Sequence, residues 1–434
     1  MKKLLLSAVL TLSLSGITQE IHEHPDHPKG LNSADQYEAL PLYNEACELY
    51  AKGRLEGAKI SLYEAINTSF ALTEAQLFLA KILYEQNKLD SAMIYFNSGI
   101  DFAVEQDPHH YFYYFETGMK MGQYDQVKHN QKAFKKLYGD LPNGQYESDY
   151  PFTVDDFQLY QRSLALVTDY NYWEPKATIL DTLKFNQSAT TIGNNELLII
   201  HNDEFKRLVK KKKGEKVKKW KGDLPAYTDI QFPAGNEYAF FTKNEGHVSS
   251  IWFAVKEGKK WLQPIQLPEE INTGTFNGNP YYVSDKNLLY FSSDRNGSKD
   301  LFVAKLDLEN NKVEDIVPLD IINTPNYDEI NPVLKSGSFY FSSNGHANFG
   351  GFDLFESKDL MTLNGIVTPR SAINMGKPFN TNKDEFSIDK EQGQFIIERS
   401  FYTGQKWFIR MNPLQQEDTI YYEIKKVDLS EHVD

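Results

Sequence analysis

The chain of 434 residues has room for two or three domains, and 41% hydrophobic with 14% aromatic content supplies solid cores, which excludes a disordered polypeptide. A formal charge of −14 argues against a general nucleic-acid binder. Cys47 is the only cysteine, so no internal disulfide forms and burial alone must stabilise the fold.

At the N-terminus, Lys2 and Lys3 precede an apolar run from Leu4 to Leu14 that is too short to span a bilayer. Ser13, Ser15 and Gly16 then offer a cleavage region, so residues 1–19 read as a signal peptide and the protein as exported. Its removal takes Lys2 and Lys3 and leaves a charge of −16. Residues 20–36 read as a flexible linker, in which His22, His24 and His27 beside Asp26 are expected to form a solvated tail rather than a metal site. Cys47 lies far beyond the signal, which argues against a lipid anchor, and no later segment predicts a transmembrane helix. Cys47 itself is expected as a small apolar helix residue.

Residues 37–140 carry apolar side chains at helical spacing, as in Leu77, Ala80, Ile82, Leu83 and Tyr84. They also repeat. Ala46, Ala58, Leu62 and Ala65 recur one unit later, in the same relative spacing, as Ala80, Ala92, Phe96 and Gly99, and Gly53-Arg54-Leu55 matches Asn87-Lys88-Leu89 at the turn. A third unit spans His110 to Tyr138, with Gly122-Gln123-Tyr124 at its turn and Val127 offset by one position. This resembles tetratricopeptide repeats, helix-turn-helix units of about 34 residues with small residues where the helices meet. The resemblance implies a short superhelix with a concave face for peptides or proteins. Tyr111, Tyr113 and Tyr114, within the run Tyr111 to Phe115, are the candidates for that face, although about half of such a run must be core.

A Pro/Gly/Asp-rich connector at 141–151 ends the helical part. Beyond it, the pair Asn272-Thr273 recurs as Asn323-Thr324 and again as Asn380-Thr381. At nearly the same interval Leu289 to Ser293 reappears as Phe339 to Ser343, and Asp300-Leu301-Phe302 reappears as Asp353-Leu354-Phe355. Short aromatic strands at such a period predict propeller blades over 152–434. Five are expected, at about 186–226, 227–274, 275–326, 327–382 and 383–412. Residues 152–185 joined with Thr419 to Val427 would supply a sixth by pairing the first and last strands. The expected fold class is therefore α + β multidomain: a tetratricopeptide-like superhelix followed by an all-β propeller of five or six blades.

These residues resemble the WD40-like repeat of TolB-type propellers. The repeat appears as Asn279-Pro280, Tyr290 to Asp294, Gly297 and Asp300 to Phe302, and again as Asn331-Pro332, Tyr340 to Asn344, Gly350-Gly351 and Asp353 to Phe355. The blade at 383–412 keeps Asp384-Glu385-Phe386 but lacks Asn-Pro. Exported helical repeats joined to such a propeller resemble envelope proteins of Gram-negative bacteria, many with a C-terminal OmpA-like domain that binds peptidoglycan. The segment from 413 to 434, after the last clear blade, is too short for that domain, so peptidoglycan anchoring is not carried over.

Candidate chemistry is sparse. Asp294, Asn296, Ser298 and Asp300 are expected to serve a hairpin turn rather than a calcium loop. Between Asp203 and Lys221 lie ten Lys/Arg and three Asp/Glu. Lys210, Lys211, Lys212, Lys213, Lys216, Lys218, Lys219 and Lys221 with Trp220 form either a solvated hairpin or a contact for an anionic partner. No G-x-S-x-G, HExxH, P-loop or G-x-G-x-x-G motif occurs, and no cofactor or catalytic residue is assigned. The expectation is a non-enzymatic scaffold of the periplasm or outer membrane, with repeats and propeller engaging different envelope proteins. The alternatives are a glycan or small-ligand receptor, or a carbohydrate-active or peptidase-like enzyme with acids in the propeller channel.

Overall fold

A computed structural model describes residues between 31 and 413, apart from 32, 103–107, 130–153, 170–176, short stretches between 186 and 236, 392–393 and 401–405. In the strands between 177 and 219 only Leu198 is described beyond its backbone. The architecture is α+β, a helical N-terminal region followed by a β-propeller.

The helices are α1 (Ala34–Ala51), α2 (Leu55–Thr68), α3 (Thr73–Glu85), α4 (Leu89–Phe102), α5 (Pro108–Met121), α6 (124–129) and α7 (Val154–Asp169). They form hairpins closed by one device used three times. Gly53, Asn87 and Gly122 take left-handed backbone angles (φ +71°, 58° and +74°), which glycine and asparagine adopt at least cost. Their N–H groups donate to the carbonyls of Tyr50, Tyr84 and Met119, and the next residues donate to Leu49, Leu83 and Gly118, so the orphaned ends of α1, α3 and α5 are satisfied. Small residues sit where helices touch: Ala46, Ala58, Ala65, Ala80 and Ala92 are fully buried, and a Cβ on Gly99 would fall 2.5 Å from Leu77 Cγ. Cys47 is buried in this core.

Helix α7 lies inside the span expected to open the propeller. Its Leu164 and Val167, at helical spacing, join the core of the helical region, so the helices continue past the connector.

The strands begin with β1 (Ala177–Phe185), followed by a four-stranded sheet of β2 (Ala189–Thr191), β3 (Glu196–His201), β4 (Glu204–Lys211) and β5 (Gly214–Lys219). Next come β6 (Thr228–Gln231), β7 (Tyr238–Glu245), β8 (Val248–Glu257), β9 (Lys260–Trp261) and β10 (Ile265–Gln266), then β11 (Asn277–Val283), β12 (Leu288–Ser293), β13 (Asp300–Asp307) and β14 (Lys312–Pro318). A further sheet joins β15 (Glu329–Lys335), β16 (Ser338–Ser343), β17 (Asp353–Ser357) and β20 (Ile373–Asn374), with the ribbon β18 (Leu360–Leu363) and β19 (Ile366–Pro369) between them in sequence. The last comprises β21 (Asp384–Glu391), β22 (Gln394–Ser400) and β23 (Lys406–Pro413), with β1 on its outer side.

About four packed blades are therefore described, against the five or six expected. The missing sixth blade has a structural cause. Strand β1 does not belong to a separate sixth blade; it pairs antiparallel with β23, Ala177 opposite Pro413, and supplies the fourth strand of the last one. Residues 419–427 lie outside the described residues. The sheet β2–β5 abuts the blade after it through Leu198, which is buried with Ala239 and Phe241.

Two side-chain devices recur from blade to blade. Asn272, Asn323 and Asn380 each turn their amide onto a neighbouring strand, accepting from the backbone N–H of Ile251 (2.7 Å), Leu301 (2.8 Å) and Leu354 (2.8 Å) and donating to the carbonyl of the same residue. The amide thus stands in for one residue of an extra strand. Asn279 and Asn331, of the Asn-Pro pairs, lie at β-bulges in their inner strands with φ 50° and 54°. Asn380 is fully buried, so Asn380→Ala strands the N–H of Leu354, whose carbonyl keeps the Met375 N–H. The expected loss is about 1–3 kcal/mol for the unpaired group, measured by equilibrium denaturation.

Candidate interaction surfaces

The repeats bring their tyrosines together in a way the sequence leaves ambiguous. Tyr111 and Tyr114 are buried in the helical core and do not line an open face. Their spacing of three puts both on the inner side of α5. Tyr113 is half-buried and stands beside Tyr84, with ring centroids 5.4 Å apart, and 5.6 Å from the Lys81 ammonium. Lys81 also faces the Tyr50 ring and pairs with Glu85, which accepts a 2.7 Å hydrogen bond from the Tyr50 hydroxyl. Lys120 donates to the Tyr84 hydroxyl at 2.8 Å and pairs with Glu116. This face is a cross-linked network of the protein's own aromatic and charged groups, a stiff connection between successive hairpins.

The exposed apolar groups lie elsewhere. Ile60 and Ile94, at equivalent places on α2 and α4, are 60% and 65% exposed, and Phe70 and Phe102 at the far ends of these helices are 56% and 63% exposed. The sequence reading did not single them out, because apolar residues that recur at the repeat period suit core and surface equally. The signal was available: on α2 the core positions are Ala58, Leu62 and Ala65, and Ile60, two positions from Ala58, falls about 200° round the helix.

The basic segment occupies β4 and β5, joined as an antiparallel hairpin with Lys210 opposite Glu215 and Lys211 opposite Gly214. Lys216, Lys218 and Lys219 fall on β5, the terminal strand in the order β2–β3–β4–β5. The same register sets Lys206 opposite Lys219 and Arg207 opposite Lys218. Lys212, Lys213, Trp220 and Lys221 lie outside the described residues.

The propeller's buried acids serve structural roles. Glu329 is fully buried, and its carboxylate accepts from the Thr324 N–H (2.8 Å), the Thr324 hydroxyl (2.7 Å) and the Ser343 hydroxyl (2.6 Å). Glu385 repeats this with Thr381, and Arg399, where the earlier blade has Ser343, donates to it at 2.6 Å. Asp294 accepts from the Thr275 and Phe276 N–H groups and so ties the turn after β12 to the segment before β11, where the hairpin reading expected bonds within the turn. Burial raises Glu329 to about 8 and pushes Glu385 up, with Arg399 opposing.

Asp353 is the acid on which the two regions meet. It is fully buried, and burial with the neighbouring Glu385 raises its affinity for a proton. One carboxyl oxygen accepts from the Phe349 N–H (2.9 Å) and the Asn374 amide (2.6 Å). Phe349, on the loop between β16 and β17, inserts its ring into the core of the helical region. Around it, Tyr124 donates to the Phe349 carbonyl (2.9 Å), the Asn348 N–H donates to the Ser163 hydroxyl (3.0 Å), and the Asn382 amide donates to the Lys120 carbonyl (2.8 Å).

Comparison with known proteins adds the fold and little more. No family model matches this chain, and no curated protein does. Among solved structures, TolB from Acinetobacter baumannii is similar at 12% identity and a TM-score of 0.28, covering 50% of this chain and 53% of its own. This chain therefore spans about half of that protein. The putative TolB from Agrobacterium tumefaciens stands at 14% and 0.28, covering 50% and 71%; a gluconolactonase from Xanthomonas campestris stands at 12% and 0.31, covering 52% and 71%. The propeller is distantly similar to those of TolB, and likenesses this loose say nothing of activity.

Two expected outcomes follow from these acids and this joint. Because folded Glu329 keeps its proton up to about pH 8 while the unfolded chain releases it near the usual carboxylate value, stability falls as pH rises through that window. Glu329→Gln removes this slope, so its advantage over the parent grows between about pH 5 and about pH 9, on the order of a few kcal/mol in denaturant titrations. Phe349→Ala empties a buried ring site and is expected to destabilise by about 3–5 kcal/mol, with protease cleavage appearing between helices and propeller.

Proposed function

We propose that this protein is a non-enzymatic scaffold of the cell envelope, periplasmic or associated with the outer membrane, whose helical hairpins and propeller hold different protein partners. The observation that carries the reading is the joint at Phe349, a propeller side chain buried in the helical core and flanked by three inter-region hydrogen bonds. Two binding modules locked at a fixed angle suit a protein that positions two partners relative to each other; independent binding would need only a linker. The buried acids Glu329 and Glu385 are held by threonine, serine and arginine of the protein itself. The helical hairpins act as tetratricopeptide-like repeats, and the apolar N-terminal run directs export.

The test is photo-crosslinking in intact cells, with a photoreactive residue at Tyr37 on α1 or at Leu363 on the β18–β19 ribbon, both exposed. Distinct, reproducible protein adducts are expected from the two positions. Adducts from neither position, or glycan alone from both, would sink the scaffold reading.

A further inference from the structure

The outward face of α2 and α4 is built for a ligand of one kind. These are the second helices of successive hairpins; Tyr63 meets Tyr95 edge-on across them at 6.1 Å between centroids, and Phe70, in the turn after α2, meets Phe102 at 5.9 Å. Ile60 and Ile94 precede the first pair, one on each helix, so apolar groups run along both sides of the seam between the helices. Tyr63, Phe70, Ile60, Ile94 and Phe102 all remain exposed. The length of α2 makes this stripe about 20 Å long.

Its exposed charge within the helices is negative, with Arg54 and Lys88 just before their first turns. Glu56 and Glu64 on α2 and Asp90 and Asp101 on α4 are exposed along the same helices. Lys59 is the only basic residue in either helix; it is buried and already paired with Glu56 at 2.7 Å. Exposed isoleucine and phenylalanine flanked by carboxylates, with no exposed cation on these helices, complement a segment that carries an apolar stripe edged by lysine or arginine.

We infer that the seam between α2 and α4 is the docking site for a basic amphipathic helix of a partner protein. The partner's apolar positions, three and four apart, contact Ile60, Ile94 and the two aromatic bridges, while its flanking cations meet Asp90, Glu64 and Asp101. The inference rests on the scaffold reading and specifies which helical surface serves it. It also assigns the work of recognition away from the face of Tyr113, whose neighbours occupy one another.

The test uses the full chain and a fluorescent synthetic helix of about 18 residues, roughly five turns, with leucine on one face and lysine on the other. A matched peptide with glutamate replacing lysine is the control. The lysine peptide is expected to bind, more weakly as salt rises, and the double variant Ile60→Ser/Ile94→Ser to weaken it by roughly tenfold or more. Both isoleucines are exposed, so this variant keeps its fold, which circular dichroism checks. Asp90→Lys/Asp101→Lys is expected to reverse the preference between the two peptides. Absence of binding, equal binding of both peptides, or lysine-peptide binding indifferent to the isoleucine variant would each overturn the inference. In the last case the attraction is only to the chain's net negative charge. Partners recovered by crosslinking at Tyr37 and Leu363 would leave the scaffold reading standing even then, with this seam removed from it.

Discussion

Three blades of the propeller solve the same hydrogen-bonding problem, each with one asparagine amide on which its join to the next blade depends. Where a strand passes a loop, one backbone N–H has no strand partner, and burial without a partner is costly. Asn272, Asn323 and Asn380 present an oxygen to that N–H and an amide N–H to the carbonyl of the same residue, which also accepts a backbone N–H from Leu267, Leu319 or Met375. The following threonine extends the device: Thr324 and Thr381 donate N–H and hydroxyl to a glutamate at the start of the next inner strand. One dipeptide thus ties a loop to the strand behind it and to the blade ahead.

That chemistry explains why the propeller was legible in the sequence. Only a carboxamide mimics a peptide unit, as Gln231 also does on Tyr282, and apart from glycine no residue tolerates a left-handed bulge as readily as asparagine, so the asparagines recur at blade spacing and announce themselves. The helical hairpins were legible for the same reason, through Gly53, Asn87 and Gly122 at positions that need positive φ. The blade count was not legible. Whether β1 completes the last blade or founds another depends on a pairing between distant segments, which local pattern does not encode. Helix α7 was missed because it follows a connector rich in breakers and precedes a strand. The exposed isoleucines were hidden by sharing a period with the core.

The junction between the regions shows how an acid can organise structure. Asp353 sits on the propeller side, fixes the backbone of Phe349 and leaves the ring to the helices. In the preceding blade Asp300 occupies the matching place, with Asn296 donating to it. The blade that meets the helices has Gly350 and Gly351 in its corresponding loop; a Cβ on Gly350 would lie 2.6 Å from the backbone of Asn382. A common blade motif has been opened at one loop to accept a second domain.

Closure of the ring by β1 and β23 also fixes an order of events. Ala177 opens the first strand and meets Pro413, which closes the last, so β1 emerges early in synthesis and stays without this partner until almost the whole described propeller has been made. Chains interrupted before Lys406 retain an open strand edge, the kind of surface that recruits other chains. The strand next to the helices therefore registers whether the far end has arrived.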